Sequence, residues 1–216
     1  FSNALSGNGS ATKTGAGLVT YTGDGSAYTG TFTVDSGAFS VNGTLGGRMV
    51  VGSGAMLKGT GNVGSTTLAA GATAAPGNSI GTLRVNGDLV FQPGSAYQVE
   101  LDAAGHSDRI DVTGSATLGG ASATVLAANG NWAPVTRYTI LRAEGGILGT
   151  FGALSSNFAF LTPSLSYDTQ QVTLMLERND VGFPQVGISA NQRSVGQAVE
   201  QLGAGPVYGA VLKADA

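Results

Sequence analysis

Apolar and polar positions alternate along the middle of the chain, between residues 75 and 102, and Gly-rich turns interrupt the alternation. Tyr97, Val99 and Leu101 fall on one face of an extended segment, and the polar residues between them fall on the other. Side chains of a strand alternate with period two, so this pattern predicts a strand with one buried and one wet face. We predict a turn, a short strand, a second turn and two further strands here, with the last strand at a half-buried edge.

A loose repeat precedes this segment. Gly37, Gly54 and Gly71 are equally spaced and each is followed by Ala, whereas the interval from Gly71 to Gly94 is wider. A fixed period of this kind indicates a solenoid, and units made only of strands predict a parallel β-helix whose turns bury their inward residues against their neighbours. An antiparallel β-sandwich with short Gly turns is the alternative. The wider last interval contains residues 76–82, which we interpret as an insertion.

Composition narrows the class of protein. Gly makes up 36 of 216 residues and charged residues only 11%. These values exclude a charge-rich disordered chain and an ordinary helical protein, since Gly in a helix interior costs about 1 kcal/mol. The net charge of −3 without a Lys or Arg run argues against nucleic acid as a partner. The lack of Cys slightly favours export through a narrow channel into an oxidising compartment.

Several motifs resemble those of bacterial autotransporters. Residues 13–17 (KTGAG) and 28–30 (YTG), within residues 6–43, are similar to the passenger-associated transport repeat, although Phe39 stands where Leu is more common. The sequence APGNSIG at residues 75–81 resembles the start of the conserved C-terminal passenger module of the same family. The sequences SDRIDV and NFAFL, which begin at Ser107 and Asn157, continue that resemblance, which covers nearly the whole chain.

The resemblance implies an all-β fold: a right-handed parallel β-helix with an antiparallel β-rich C-terminal cap and a short helical linker. It divides the chain into β-helix rungs (1–78), an autochaperone or capping module (79–178) and a linker (179–216) toward an outer-membrane β-barrel that is absent from the chain. Because the sequence opens in mid-pattern at Phe1, we expect a fragment of a longer protein. The implied location is the bacterial cell surface or outer membrane, or secretion, after export through the periplasm.

Local signals predict the elements of the second half. Residues 83–91 read as a pair of short strands, and residues 168–170 as the turn of a hairpin. Aromatic residues concentrate in an antiparallel-looking cap, which would cover the apolar end of a solenoid. Ser189 is predicted to be the N-cap of a helix over residues 190–202, and a second short helix is predicted over residues 207–213.

No residue pattern predicts catalysis, a cofactor or a metal. Residues 106–108 (His-Ser-Asp) are consecutive in a loop and cannot converge as a triad, so we interpret the only His as solvated. Glu100 and Asp102 share an outward strand face without a pocket that would raise the pKa of a general acid.

Asp108 and Asp111 lack the surrounding repeat of a calcium-binding β-helix. Trp132 is interpreted as core rather than as a sugar-binding platform.

The sequence therefore predicts a folding and interaction role and no enzyme activity for this chain. We expect it to nucleate and template folding of an autotransporter passenger and to support its translocation across the outer membrane. Its partners would be its own upstream β-helix rungs and its own outer-membrane β-barrel, with a host protein as a further candidate. The alternatives are a surface adhesin, and the stalk of a surface protease or esterase whose catalytic domain lies upstream. The expected folding core consists of Ile80, Leu83, Tyr97, Leu101, Ile110, Trp132, Phe151, Phe158 and Leu174.

Overall fold

A computed structural model describes residues 1–156 and 158–214, and most of these residues lie in strands or in the turns between them. Asn157, in the motif at residues 157–161, and residues 215–216 of the linker lie outside the described residues. In chain order the strands are β1 Ala11–Lys13, β2 Leu18–Tyr21, β3 Asp24–Gly25, β4 Thr31–Val34, β5 Ala38–Val41, β6 Thr44–Leu45, β7 Arg48–Val51, β8 Met56–Gly59, β9 Asn62–Leu68, β10 Thr73–Pro76, β11 Thr82–Phe91, β12 Ala96–Leu101, β13 Arg109–Val112, β14 Ala116–Thr117, β15 Ser122–Ala127, β16 Val135–Ala143, β17 Ile147–Leu148, β18 Ala153–Ser155, β19 Leu161–Tyr167 and β20 Gln171–Arg178.

The strands of the described residues form two sheets. The first runs β1-β4-β7-β9-β11-β13-β16-β20-β19, with four two-residue strands beside it, and the second runs β2-β5-β8-β10-β12-β15-β18. Pairing is parallel throughout the second sheet and from β1 to β16 in the first. The chain passes back and forth between the sheets. The predicted all-β class with parallel sheets is confirmed, while closure into a right-handed β-helix stays a prediction.

Paired strands in the first half of the chain are offset by the same number of residues as the repeated glycines. The step from Thr31 to its partner Arg48 equals the step from Met56 to its partner Thr73, and both equal the glycine interval. The step then lengthens with each further pair in the second sheet: Thr73 with Ala96, Ala96 with Ser122, and Ser122 with Ala153. The interpretation of residues 76–82 as a single insertion was therefore incomplete, because the turns keep growing after the junction.

The repeated glycines occupy equivalent corners. Gly37, Gly54, Gly71 and Gly94 have φ angles of +68°, +75°, +80° and +84°. The N–H of Gly54 donates to the carbonyl of Gly71, and the N–H of Gly71 donates to that of Gly94, at 3.0 and 2.8 Å. Glycine is favoured at such positions because the left-handed region is strained for other residues. The spacing of these glycines was thus a reliable signal for the corners.

The side chains of β12 are buried largely as the alternation of apolar and polar residues predicts. Tyr97, Val99 and Leu101 of β12 are fully buried, whereas the residues between them are half-buried. The prediction of an edge strand was wrong, because β12 pairs with β10 on one side and β15 on the other. The pair of short strands predicted over residues 83–91 is a single strand, β11, with a register irregularity between Asn86 and Leu89.

Antiparallel pairing occupies less of the second half than the resemblance implied. Among the described strands it joins only β16 with β20 and β20 with β19, apart from isolated antiparallel bridges at Gly59–Gly77 and Leu101–Ser107. The turn of the β19–β20 hairpin at residues 168–170 is confirmed. The physical reason for the difference is the register: β11, β13 and β16 continue the parallel ladder of the first sheet, and only β20 runs opposite to its neighbours.

Two α-helices follow the strands. α1 spans Ala190–Leu202 and α2 spans Pro206–Leu212, and a 3₁₀ helix at Phe183–Val186 precedes them. As predicted, the Ser189 side chain caps α1 by accepting a hydrogen bond from the N–H of Gln192 at 3.2 Å. Among the described residues, no helix is long and apolar enough to span a membrane.

Candidate functional site at the junction

The junction loop, residues 76–82, joins β10 of the second sheet to β11 of the first. It turns sharply at Gly77, where φ is +84° and a Cβ atom would overlap the carbonyl oxygen of Ser79. Gly77 also exchanges two backbone hydrogen bonds with Gly59, at 2.9 and 3.2 Å. Glycine is therefore required at this turn by both its backbone angle and the close approach of the chain.

Asn78 connects the junction loop to the preceding turns of the chain. Its side-chain oxygen accepts a hydrogen bond from the hydroxyl of Ser40, and its side-chain nitrogen donates to the oxygen of Asn42, both at 2.9 Å. The Asn42 oxygen also accepts from the backbone N–H of Thr60 at 3.2 Å. Ser40 and Asn42 both lie about two repeat lengths before Asn78 in the sequence.

Asp108 connects the same loop to the following strands. One carboxylate oxygen accepts a hydrogen bond from the N–H of Gly81 and the other from the N–H of Glu100, both at 2.9 Å. Asp108 is only 1% exposed, and this burial raises the pKa of its carboxyl to about 7, although the two N–H donors oppose the rise. A buried carboxyl group thus fastens the loop to the C-terminal end of β12.

The three consecutive residues whose types suggest a triad have different partners. Nδ1 of the exposed His106 contacts the carboxylate of Asp102 at 2.8 Å, whereas both oxygens of Asp108 accept backbone N–H groups. The imidazole and this buried carboxyl group therefore do not form a catalytic pair. Within the described ranges, the structure brings no three His, Cys, Asp or Glu side chains together as metal ligands.

Most of the expected folding core is buried. Eight of its nine residues are at most 8% exposed: Leu83, Tyr97, Leu101, Ile110, Trp132, Phe151, Phe158 and Leu174. Ile80 is the correction, because it is half-buried and lines surface clefts beside the junction loop. It belongs to the loop rather than to β11, which begins at Thr82, so strand alternation does not turn it inward.

Two groups of contacting aromatic rings lie near the junction and in the C-terminal segment. In the first, Tyr97, Phe91 and Phe151 have ring centroids 5.8–6.0 Å apart, and the Tyr97 hydroxyl donates to the carbonyl of Ile140 at 2.6 Å. Burial raises the pKa of Tyr97 well above its usual range. Phe91 was absent from the expected core, although its place in the alternation of β11 could have indicated it.

The second group holds the C-terminal segment against the strands. Phe183 packs edge-on against Phe160 with centroids 4.7 Å apart, and against Tyr208 at 5.1 Å. The guanidinium of Arg178 lies 4.8 Å from the Phe183 ring centroid and pairs with Glu200 of α1. Phe183 lies within the predicted linker (179–216) but is only 3% exposed, so the linker packs against the strands at this position.

Two curated proteins resemble the chain over most of its length. It is 33% identical over 212 residues to an extracellular serine protease of Serratia marcescens, and 30% identical over 213 residues to a second extracellular serine protease of the same organism. Each match covers 94% of this chain but 20% of the relative. The chain therefore spans about a fifth of the length of these relatives. No protein-family model matches it.

Proposed function

We propose that this chain is the C-terminal part of an autotransporter passenger, in which it nucleates and templates folding of the preceding chain and supports translocation across the outer membrane. The proposal includes closure of the two sheets into a right-handed parallel β-helix. Similarity to a fifth of each of two extracellular serine proteases supports a place within a larger exported protein. The motifs at residues 13–17 and 75–81 support the place near the passenger's C-terminal end.

The physical reason for a template is the cost of the first turn. Ordering each residue costs about 1–2 kcal/mol of conformational entropy, and a turn of a solenoid recovers it only by stacking on a neighbour. In the strands from β11 onward, the rings of Phe91, Tyr97 and Phe151 contact one another, within a hydrophobic core that continues into the preceding strands. Once folded, they offer a complete strand edge on which the preceding turn stacks, and each addition disfavours backward movement through the pore.

The observation that carries the proposal is the double attachment of the junction loop. Asn78 bonds to Ser40 and Asn42 in the preceding turns, and Gly81 bonds to Asp108 in the following part. The loop is therefore the point at which a folded closing module would accept its first two upstream turns. Template and repeat share hydrogen bonds here, in addition to the stacking of their strands.

A deletion in the full-length parent protein tests this function. We expect removal of residues 77–178 to abolish surface display or protease resistance of the upstream passenger. The control is removal of residues 18–37, one register step between β2 and β5, which shortens the stack but keeps the closing module together with Ser40 and Asn42 and should leave both properties largely intact. Unchanged display and resistance after the larger deletion would contradict the proposal.

A second candidate is a non-catalytic stalk of a secreted serine protease. It is favoured by the names of the two relatives, of which this chain matches only a fifth. In a stalk, the residues merely hold a catalytic domain away from the cell, so the larger deletion would leave folding of the upstream domain unchanged and alter only its position. Protease activity measured on intact cells after that deletion separates the two candidates. No observation favours the adhesin alternative.

A further inference from the structure

A cleft beside the junction loop is lined by an unusual number of cationic side chains. It has a volume of about 390 Å³ and lies between the junction loop, the residues around His106, and β16. Arg109, Arg137 and Arg142 line it. An adjoining cleft of about 300 Å³ shares Arg142 and adds Arg84. Four of the chain's seven arginines therefore line these two clefts, although the chain carries a net charge of −3.

The strand register explains how these arginines come together. Arg84 of β11 and Arg142 of β16 both pair with Asp111 of β13 and so flank it on the outer face of the first sheet. In a regular strand, residues 137 and 142 would point to opposite faces, because an odd number of positions separates them. A register irregularity between Thr139 and Leu141 shifts the alternation, so that Arg137 and Arg142 are both exposed. Such irregularities often redirect a side chain toward a binding site.

The carboxylates nearby neutralise only part of this charge. Asp111 is engaged by Arg109 through two hydrogen bonds at 2.7 and 2.9 Å, and Asp102 contacts His106. Glu144 lines the adjoining cleft and remains an unfavourable neighbour for an anion. In the part of the chain that the structure describes, Arg84, Arg137 and Arg142 have no ion pair. Asp111 lies between Arg84 and Arg142 in the sheet and lines the adjoining cleft, but its carboxylate is held by Arg109.

We propose that the two clefts form one anion site, the arginine cleft, which binds a phosphate group. A planar guanidinium presents paired N–H donors that match phosphate oxygens, and three such groups suit an anion with three terminal oxygens. A cleft of about 390 Å³ is large enough for a phosphate together with a small attached group. A long nucleic acid does not fit this arrangement, because the cationic surface is confined to one cleft of an acidic chain.

The phosphate belongs either to a soluble phosphomonoester, which offers three terminal oxygens, or to a phosphodiester lipid headgroup, which offers two; both present anionic oxygens to the guanidinium groups. The inference is independent of the proposed folding function, because it depends only on arginines that lie outside the core. Its test is isothermal titration calorimetry of the whole chain in a phosphate-free buffer at neutral pH. The probes are inorganic phosphate, glucose 6-phosphate, and vesicles of phosphatidylglycerol compared with phosphatidylcholine.

We expect saturable 1:1 binding of at least one phosphate-bearing probe, and a loss of about ten-fold or more in affinity for the double variant Arg137→Gln/Arg142→Gln. The control is Arg48→Gln, an exposed arginine on β7 of the same sheet, which should leave affinity unchanged. Binding of free phosphates alone assigns a soluble phosphoester, and binding of phosphatidylglycerol vesicles alone assigns a lipid headgroup. The proposal is overturned if no probe binds saturably, or if Arg48→Gln weakens binding as much as the double variant while melting curves show all variants folded.

Discussion

The carboxylate of Asp108 accepts a hydrogen bond from the backbone N–H of Gly81 at 2.9 Å, although the two residues are far apart in the sequence. Its second oxygen accepts the N–H of Glu100 at the same distance. The Asp108 side chain is almost free of solvent contact and its two bonds are partly buried, so a donor left without an acceptor costs more than the bond itself contributes. This single side chain therefore sets the position of the junction loop relative to the strands that follow it.

Substitution of Asp108 by Asn is expected to destabilise the protein. An amide keeps one acceptor oxygen but turns an NH₂ group toward the other backbone donor, which leaves a buried N–H unsatisfied. The loss in free energy of unfolding should be about 1–3 kcal/mol, measured by urea denaturation. Asp111→Asn is the matched control, because the half-exposed pair with Arg109 contributes only about 0–1 kcal/mol. Equal losses for the two variants would contradict this role.

The same carboxyl makes stability depend on pH. Burial raises the pKa of Asp108 to about 7 from the ordinary value of 3.8. Between these values the folded protein holds a proton that the unfolded chain has released, so the free energy of unfolding falls as the pH rises through this window. The pKa values of Asp24 and Asp88 are lowered by hydrogen bonds from Ser26 and Ser115. Their contribution to the free energy of unfolding therefore changes at pH values below this window.

Thermal melts between about pH 5 and about pH 8 measure this dependence. We expect a lower melting temperature at the higher pH in the wild-type chain and a flatter profile in Asp108→Asn, which has no titrating carboxyl at this position. A wild-type melting temperature that does not fall across this pH range would contradict the role of Asp108. An identical slope of melting temperature against pH in the variant would contradict it as well. Carboxyl ¹³C NMR titration of Asp108 gives the folded-state pKa directly.

Sequence patterns predicted the repeat and the hairpin well because both depend on local chemistry. Glycine spacing indicated the corners at Gly37, Gly54 and Gly71, and the short polar turn at residues 168–170 indicated the hairpin. The capping box at Ser189 likewise depends only on neighbouring residues. Each of these signals is contained within a few residues or one repeat, so a single sequence is sufficient to detect it.

The junction site was largely invisible to the same reasoning. Asp108 bonds to Gly81 and Asn78 bonds to Asn42, and neither pair is implied by period or spacing. Alternation also fails where strands are irregular: the shift after Thr139 brings Arg137 and Arg142 to one face. Ile80 was expected in the folding core, but it lies in a loop, where strand alternation does not decide burial. Long-range register decides these contacts, and one sequence does not specify it.

Close stacking of glycines predicts a sharp difference between two alanine variants. At Gly64 an added Cβ would overlap the carbonyl oxygen of Gly47, one repeat earlier, whereas at Gly54 nothing lies within 4 Å. Gly54 instead has a φ of +75°, so Gly54→Ala should cost only the strain of a left-handed residue, about 1–2 kcal/mol. Gly64→Ala has to separate two neighbouring turns and should cost more. Urea denaturation compares them, and a smaller loss at Gly64 would show that the turns are not held this closely.

Phe183 provides the last prediction, since it attaches the C-terminal helices to the strands. It is 3% exposed between Phe160 and Tyr208, and its backbone N–H donates to Glu200 at 2.6 Å. Phe183→Ala removes a buried ring and should cost about 3–5 kcal/mol if the surroundings do not collapse. Because the lost contacts hold α1 and α2 specifically, amide hydrogen exchange should accelerate in residues 190–212 before it does in β11 or β12.

The neighbouring Ile188 supplies the control, because it is 88% exposed and Ile188→Ala removes no packed surface. Its exchange pattern should match that of the wild-type chain. If Phe183→Ala left hydrogen exchange in the helices unchanged, residues 179–214 would be held by other contacts. One such contact is the hydrogen bond from the backbone N–H of Trp132 to the carbonyl of Gly209. If instead β12 and the helices accelerated together, the C-terminal segment would be part of one cooperative unit with the strands, and truncation after Arg178 would then destabilise the junction loop as well.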